Sequence, residues 1–201
     1  MKGVFLMSTL NLHAPDVAVT DSKVALNYLK EGNLRFVNDT PMPRNTNKAD
    51  LEITKDGQKP FAVILTCADS RTAPEIFFDQ KMGDIFVLRN AGNMADPSVV
   101  GSIEFAVGAL GAPLVVVVGH TKCGAVYSAY SGKKDFWPGL QKMLDGINEN
   151  VKNSANEEQG TIDNVGIQVD KIKNNPVVKE KGATVIGAIY DLATGKVSFS
   201  E

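Results

Sequence analysis

Two uninterrupted apolar runs dominate the hydropathy pattern of the chain: FAVIL at residues 61–65 and LVVVV at residues 114–118. Neither alternates with polar positions, which is the pattern of strands buried on both faces in a parallel sheet. A third strand-length run lies between them at residues 84–89, and a fourth occupies residues 183–190 before a turn and a last short strand. Between the second and third runs, Val99, Val100, Ile103, Ala106, Val107 and Leu110 recur at helical spacing, which predicts a crossover helix over residues 97–111. Residues 74–78 read as a short helix or crossover segment opening on Pro74. This succession predicts an α/β fold built on a mainly parallel sheet with flanking helices.

The remaining stretches fill in around that sheet. Asp21 and Ser22 can cap a helix carried by Val24, Leu26, Leu29, Leu34, Phe36 and Val37, either one long helix or two joined at Gly32. Residues 41–48 are proline-bearing and polar without period, so they read as an exposed connection ending near Asp50. Residues 124–130 and 140–151 read as helices and 153–160 as a polar loop. Ile162, Val165, Val169 and Ile172 then stripe a helix that stops before Pro176. There is no internal repeat. The expected organisation is a flexible segment over residues 1–20 followed by a single catalytic domain over residues 21–201.

Composition narrows the classes of function. With 201 residues and 43% hydrophobic content the chain can core one domain, and a formal net charge of -2 gives no electrostatic footprint for nucleic acid or an anionic membrane. No apolar run reaches the roughly 18 residues of a membrane span. The apolar stretch at the N-terminus is too short for a secretory leader of about 7 to 15 apolar residues, so it is expected to stay in place, with Met7 as an alternative start. The expected location is the cytoplasm.

The chemistry sits where the two buried runs end. The first delivers Cys67, Asp69 and Arg71, which would share one side if the extended chain continued past the cysteine. The second runs through Gly119 into His120 and Cys123. These are the only two cysteines, and a chain of this size needs no disulfide staple. Alone, a strand-end cysteine is usually a small buried hydrophobe, a histidine usually a satisfied polar residue, and Asp-x-Arg usually a plain ion pair. Together at the carboxyl ends of two strands they form a zinc ligand set one member short of a tetrahedron. That favours a catalytic metal, which acidifies a water to pKa ~7 and makes a hydroxide nucleophile. Asp69 would orient that hydroxide, kept ionised by Arg71, or close the site as a possible fourth ligand. His13, the other histidine, is given no role.

Cys67-Ala-Asp69-Ser-Arg71 with His120-Thr-Lys-Cys123-Gly124 resembles the paired zinc motifs of the β-class carbonic anhydrases. The likeness extends to residues 32–36, 89–93 and 186–191, and so covers about residues 21–199. It implies a lyase that hydrates carbon dioxide reversibly to bicarbonate and a proton at a zinc bound by Cys67, His120 and Cys123, with Asp69 and Arg71 as the gating dyad. It further implies a sheet of four mainly parallel strands, an antiparallel C-terminal edge strand, and an N-terminal helical arm gripping a second subunit in a homodimer or homotetramer. Gln58 stands where one branch of the family binds substrate, and Phe86, Ala91 and Phe105 match pocket-lining positions. Phe105 and Ala91 depart from the usual tyrosine and larger aliphatic residue. Ile64 stands where another branch carries the tryptophan of an inhibitory bicarbonate site. Two alternatives stay open: a carbon disulfide or carbonyl sulfide hydrolase on the same scaffold, and a non-catalytic zinc or redox module.

Overall fold

The computed structural model describes residues 18–43 and 48–200, the side chains of residues 49 and 50 excepted. The expectations for residues 1–17, including His13, and for residues 44–47 fall outside them. Helix α1 (Ser22–Val37) is followed by α2 (Lys48–Thr54), β1 (Ala62–Cys67), α3 (Pro74–Phe77), β2 (Ile85–Asn90), α4 (Pro97–Gly108) and β3 (Leu114–His120). Then come α5 (Gly124–Tyr130), α6 (Pro138–Val151), α7 (Glu157–Lys173), α8 (Pro176–Lys181), β4 (Thr184–Tyr190) and β5 (Val197–Phe199).

The five strands form one sheet in the order β2-β1-β3-β4-β5. The first four are parallel and β5 runs antiparallel to β4 at the edge. Strands β1 and β3 are buried along their whole length, as their unbroken apolar runs require. Alternation divides their side chains between two cores. Val63, Leu65, Val115 and Val117 pack with α4 and α7 residues such as Ile103, Val107, Val165 and Ile172. Ala62, Ile64, Leu114, Val116 and Val118 pack with Leu29 of α1 and Phe77 of α3. The ends of β1 and β3, with Cys67 and His120, therefore emerge side by side from a sheet covered on both faces.

Helix α1 is a single helix. The Asp21 carboxylate caps it by accepting from the backbone N–H groups of Lys23 and Val24. Gly32 does not break it, because the missing side chain is what lets α1 lie against the chain after α3: a Cβ there would stand 1.8 Å from the Phe78 carbonyl oxygen.

Two stretches depart from expectation and a third had no assignment. The connection expected to run to about Asp50 gives way to α2 at Lys48. The polar loop expected over residues 153–160 ends early, since Asn156 caps α7 and Glu157 and Glu158 form its acid-rich first turn. Residues 176–181, to which the sequence pattern assigned no element, form α8. Asn175 caps it, Pro176 opens it, and Gly182 at φ 67° closes it. Among the described residues no helix is long and apolar enough to cross a membrane.

Candidate metal centre

Strand β1 stops at Cys67, in register with Asn90 of β2. The extended conformation does not persist to Arg71, so alternation is not what unites Asp69 and Arg71. A turn does: the Thr72 N–H donates to the Asp69 carbonyl at 3.0 Å, and the Thr72 hydroxyl lies 2.8 Å from the Cys67 carbonyl oxygen. Within that turn the Arg71 backbone N–H and Nε both donate to Asp69 Oδ1 at 2.9 Å, and Nη2 donates to Oδ2 at 2.7 Å. This bidentate clamp is the geometry in which a guanidinium holds a carboxylate best. It keeps the Asp69 carboxyl well below the usual carboxylate range, the Arg71 hydrogen bond being the leading cause.

His120 is the last residue of β3 and is fully buried. Its Nδ1 lies 2.9 Å from the Thr121 carbonyl oxygen. A carbonyl can only accept, so Nδ1 carries the proton and Nε2 presents a lone pair. That Nε2 is buried without a hydrogen-bond partner among the described residues. A left-handed Lys122, φ 54°, then turns the chain into Cys123, the N-cap of α5.

Cys67 Sγ, Cys123 Sγ and one His120 nitrogen lie within 4.8 Å of one another. The sulfurs are 4.0 Å apart, far beyond a disulfide bond, and near the ~3.8 Å that two Zn–S bonds of about 2.3 Å subtend at a tetrahedral centre. The orphaned imidazole nitrogen and this separation both fit a metal ion. Electrostatics point the same way. A hydrogen bond from Cys123, working against burial, brings the Cys67 pKa down to about 4, and the same contact pushes the Cys123 thiol far up. The pair thus holds one proton between two sulfurs, which a cation can replace. Burial draws the His120 imidazole toward its neutral form, but the neighbouring Cys67 thiolate outweighs it and raises the pKa.

Backbone groups brace the first sulfur. The N–H groups of Asp69 and Gly92 both donate to Cys67 Sγ at 3.4 Å. Arg89 donates from Nε to the Cys67 carbonyl at 3.2 Å and from Nη2 to the Asp69 carbonyl at 2.7 Å, fastening the turn to β2. The sequence assigned neither Gly92 nor Arg89 a role in the site, although both lie within residues 89–93, a stretch of the family likeness.

The structure thus gathers Cys67, His120, Cys123, Asp69 and Arg71. It does not bring every residue expected near substrate to the same place. Ala91 is half-buried in the loop beside Cys67. Phe86 pairs with Val63, four residues short of the strand end, roughly 13 Å away at 3.3 Å per residue, and its ring lies 6.4 Å from that of half-exposed Phe105. Gln58 is exposed and precedes β1, whereas Cys67 ends it; the six residues of the strand alone span roughly 20 Å.

A family model described as carbonic anhydrase matches residues 62–197. Carbonic anhydrase 2 of Mycobacterium tuberculosis is 49% identical over 116 residues, 58% of this chain and 56% of that protein. A carbonic anhydrase of Pseudomonas aeruginosa is 29% identical over 187 residues, 83% of this chain and 84% of that one. The chain is thus matched over only about half the length of the mycobacterial relative. Among solved structures, tetrameric β-carbonic anhydrases from the ascomycete Sordaria macrospora share the fold at a TM-score of 0.67 and 24% identity, covering 88% of this chain and 96% of that one.

Proposed function

The chain belongs to the β-class carbonic anhydrases, and on that premise we propose that it hydrates carbon dioxide reversibly to bicarbonate and a proton, with zinc as its metal. Cys67 Sγ, Cys123 Sγ and His120 Nε2 would hold the zinc. A zinc ion in such a site supplies a Lewis acid that brings a water's pKa down toward neutrality.

The protein's own groups do the rest. Asp69 Oδ2 stands 4.0 Å from His120 Nε2, beside the Cys67, His120 and Cys123 cluster but not part of it. There it can accept a hydrogen bond from the O–H of the attacking water, which leaves the water's lone pair aimed at the substrate carbon. A carboxylic acid could not act as acceptor in the same way, and the Arg71 clamp keeps Asp69 ionised. While both its oxygens are engaged by Arg71, Asp69 is held off the ligand set. Release of that clamp would free it to become a fourth ligand.

The observation that carries the reading is the buried, unpartnered His120 Nε2 set among two thiols, with an ionised carboxylate alongside. A structural zinc site normally closes with four protein ligands, and among the described residues this cluster offers three. Gln58, Phe86 and Phe105 lie apart from the ligands of their own chain, so a substrate-binding role for them requires a second subunit. The tetrameric β-carbonic anhydrases of Sordaria macrospora, which share the fold, support a homodimer or homotetramer as the working unit of the single domain. Thiol ligands favour a reducing compartment, and the cytoplasm is the proposed location.

The test pairs metal analysis with stopped-flow carbon dioxide hydration on the purified protein. One zinc per chain with hydration that disappears on chelation and returns with zinc is expected. Full zinc occupancy without hydration anywhere between about pH 7 and 9 would leave a zinc-binding module instead of an enzyme.

A further inference from the structure

Cys67 Sγ receives its second backbone hydrogen bond from Gly92, in the loop that joins β2 to α4. The loop turns on itself around Gly92: the Asn93 N–H donates to the Asn90 carbonyl at 3.2 Å, and the Asn90 side-chain amide bonds both the N–H and the carbonyl of Met94 at 2.7 Å. None of these bonds reaches a backbone group of Gly92 itself, and the one that does comes from α7. Asn164, fully buried, donates from Nδ2 to the Gly92 carbonyl at 2.9 Å. Gln168, one turn along the same helix and 2% exposed, accepts at Oε1 from the Ala95 N–H at 2.9 Å.

The two amides also set each other. Asn164 Oδ1 accepts from Asn150 Nδ2 of α6 at 2.8 Å and from Gln168 Nε2 at 3.4 Å. With two donors on its oxygen, the Asn164 side chain has only its NH2 to offer Gly92, so its orientation is fixed. The loop is thereby pinned at both ends of residues 92–95 by one rigid helix. A side chain at Gly92 would be strained: its φ is 75°, and a Cβ would meet Ile147 Cδ1 at 2.5 Å and force that side chain aside.

The geometry points to Asn164 and Gln168 as positioning residues for the metal centre: they hold the Gly92 N–H on Cys67 Sγ and so set how strongly that thiolate donates to a metal. Two thiolates make a ligand set rich in negative charge, which weakens the acidification of a bound water. An N–H aimed at one sulfur withdraws part of that charge and fixes the direction of its lone pairs. Groups of this kind, one layer behind the ligands, commonly alter metal affinity or activity 10- to 100-fold when removed. A core-filling role alone does not account for a polar triad of mutually hydrogen-bonded amides, one of which holds the carbonyl of the residue whose N–H donates to Cys67 Sγ.

The inference rests on the zinc reading of the site, and the test separates the two. Asn164→Ala and Gln168→Met are compared with the parent by three readouts. The first is metal affinity by competition with a chromophoric chelator. The second is the sulfur-to-cobalt charge-transfer band of the cobalt-substituted protein. The third is the amide proton shift of Gly92 in the metal-free protein. Expected is a folded Asn164→Ala that holds zinc 10- to 100-fold less tightly, with a displaced cobalt band and a Gly92 amide proton moved upfield. Gln168→Met should show the same changes at smaller size. A folded Asn164→Ala matching the parent in all three overturns the assignment. If that variant does not fold, Gln168→Met decides by the same criteria, and failure of both to fold would assign the amides to the core alone. A parent chain that takes up no metal defeats the zinc reading, while the Gly92 resonance still tests the positioning.

Discussion

Asp69 and Arg71, two residues apart, meet side on: Arg71 Nε and Nη2 reach the two carboxylate oxygens at 2.9 and 2.7 Å, and the second oxygen also lies 4.0 Å from His120 Nε2. One carboxylate thus faces a permanent cation and the unpartnered His120 nitrogen of the candidate metal centre at once. Asp69→Asn keeps the size and removes the anion. Since Asp69 is not one of the three ligands clustered for a metal, zinc content should match the parent while hydration falls by roughly 10²–10⁴-fold, the range for loss of a proton-handling group. Stopped-flow rates alongside metal analysis check this, and unchanged hydration would remove Asp69 from the mechanism.

Cys123 is both a metal-ligand candidate and the N-cap of α5, where its side chain makes no capping hydrogen bond. Serine is a favoured N-cap, worth about 1 kcal/mol over residues that cannot cap. Cys123→Ser therefore separates two effects that usually go together. In chelator the variant should be as stable as the parent within about 1 kcal/mol. In zinc only the parent should gain, by about 4 kcal/mol at a thousandfold excess over Kd. Melting curves with and without chelator read this out; an equal gain in both proteins would mean Cys123 is not a ligand.

These two cases mark how far the sequence could be read. The runs ending at Cys67 and His120 were legible because strands buried on both faces leave no polar alternation, and chemistry at their ends stands out. Helices α2 and α8 were not, since seven and six residues carry too few apolar positions to show a period. The start of α7 was hidden by its own cap and acidic first turn, which read as a loop. In the site, the Cys67, His120 and Cys123 cluster was legible and the amides packed behind it were not. Asn164 and Gln168 touch the loop 72 and 73 residues earlier in the chain, contacts that exist only once α7 is laid across the sheet. Asp69 and Arg71 were paired for the wrong local reason: a turn joins them where extended chain was expected.

Asp96 offers a test of acid stability away from the ligands. Its carboxylate caps α4, accepting from the Ser98 hydroxyl at 2.6 Å and the Val99 N–H at 3.0 Å. Those bonds, the Ser98 hydroxyl foremost, hold its pKa below the ordinary value. A carboxyl whose pKa is depressed by folding stabilises the native state above its unfolded pKa of about 3.9, and that contribution is lost as pH falls through the lower folded value. Asp96→Asn retains an N-cap without the titration. Denaturant melts at stepped pH should show a constant difference between parent and variant above about pH 5 that shrinks below pH ~4. A difference that stays flat to pH ~2 would show that Asp96 titrates alike folded and unfolded.

Gly32 sets helix propensity against packing. In the middle of a helix, glycine to alanine ordinarily stabilises by about 1 kcal/mol. In α1 the added Cβ would lie 1.8 Å from the Phe78 carbonyl oxygen and 2.7 Å from Gln80 Nε2. The amide end of Gln80 can swing aside, but the carbonyl belongs to the backbone that follows α3 and cannot move without lifting α1 off the sheet. Packing should therefore win, and Gly32→Ala should lose about 2 kcal/mol or more, within the usual range for overfilled cores. Urea denaturation measures it directly: a variant as stable as the parent would mean that α1 does not approach Phe78 this closely in solution.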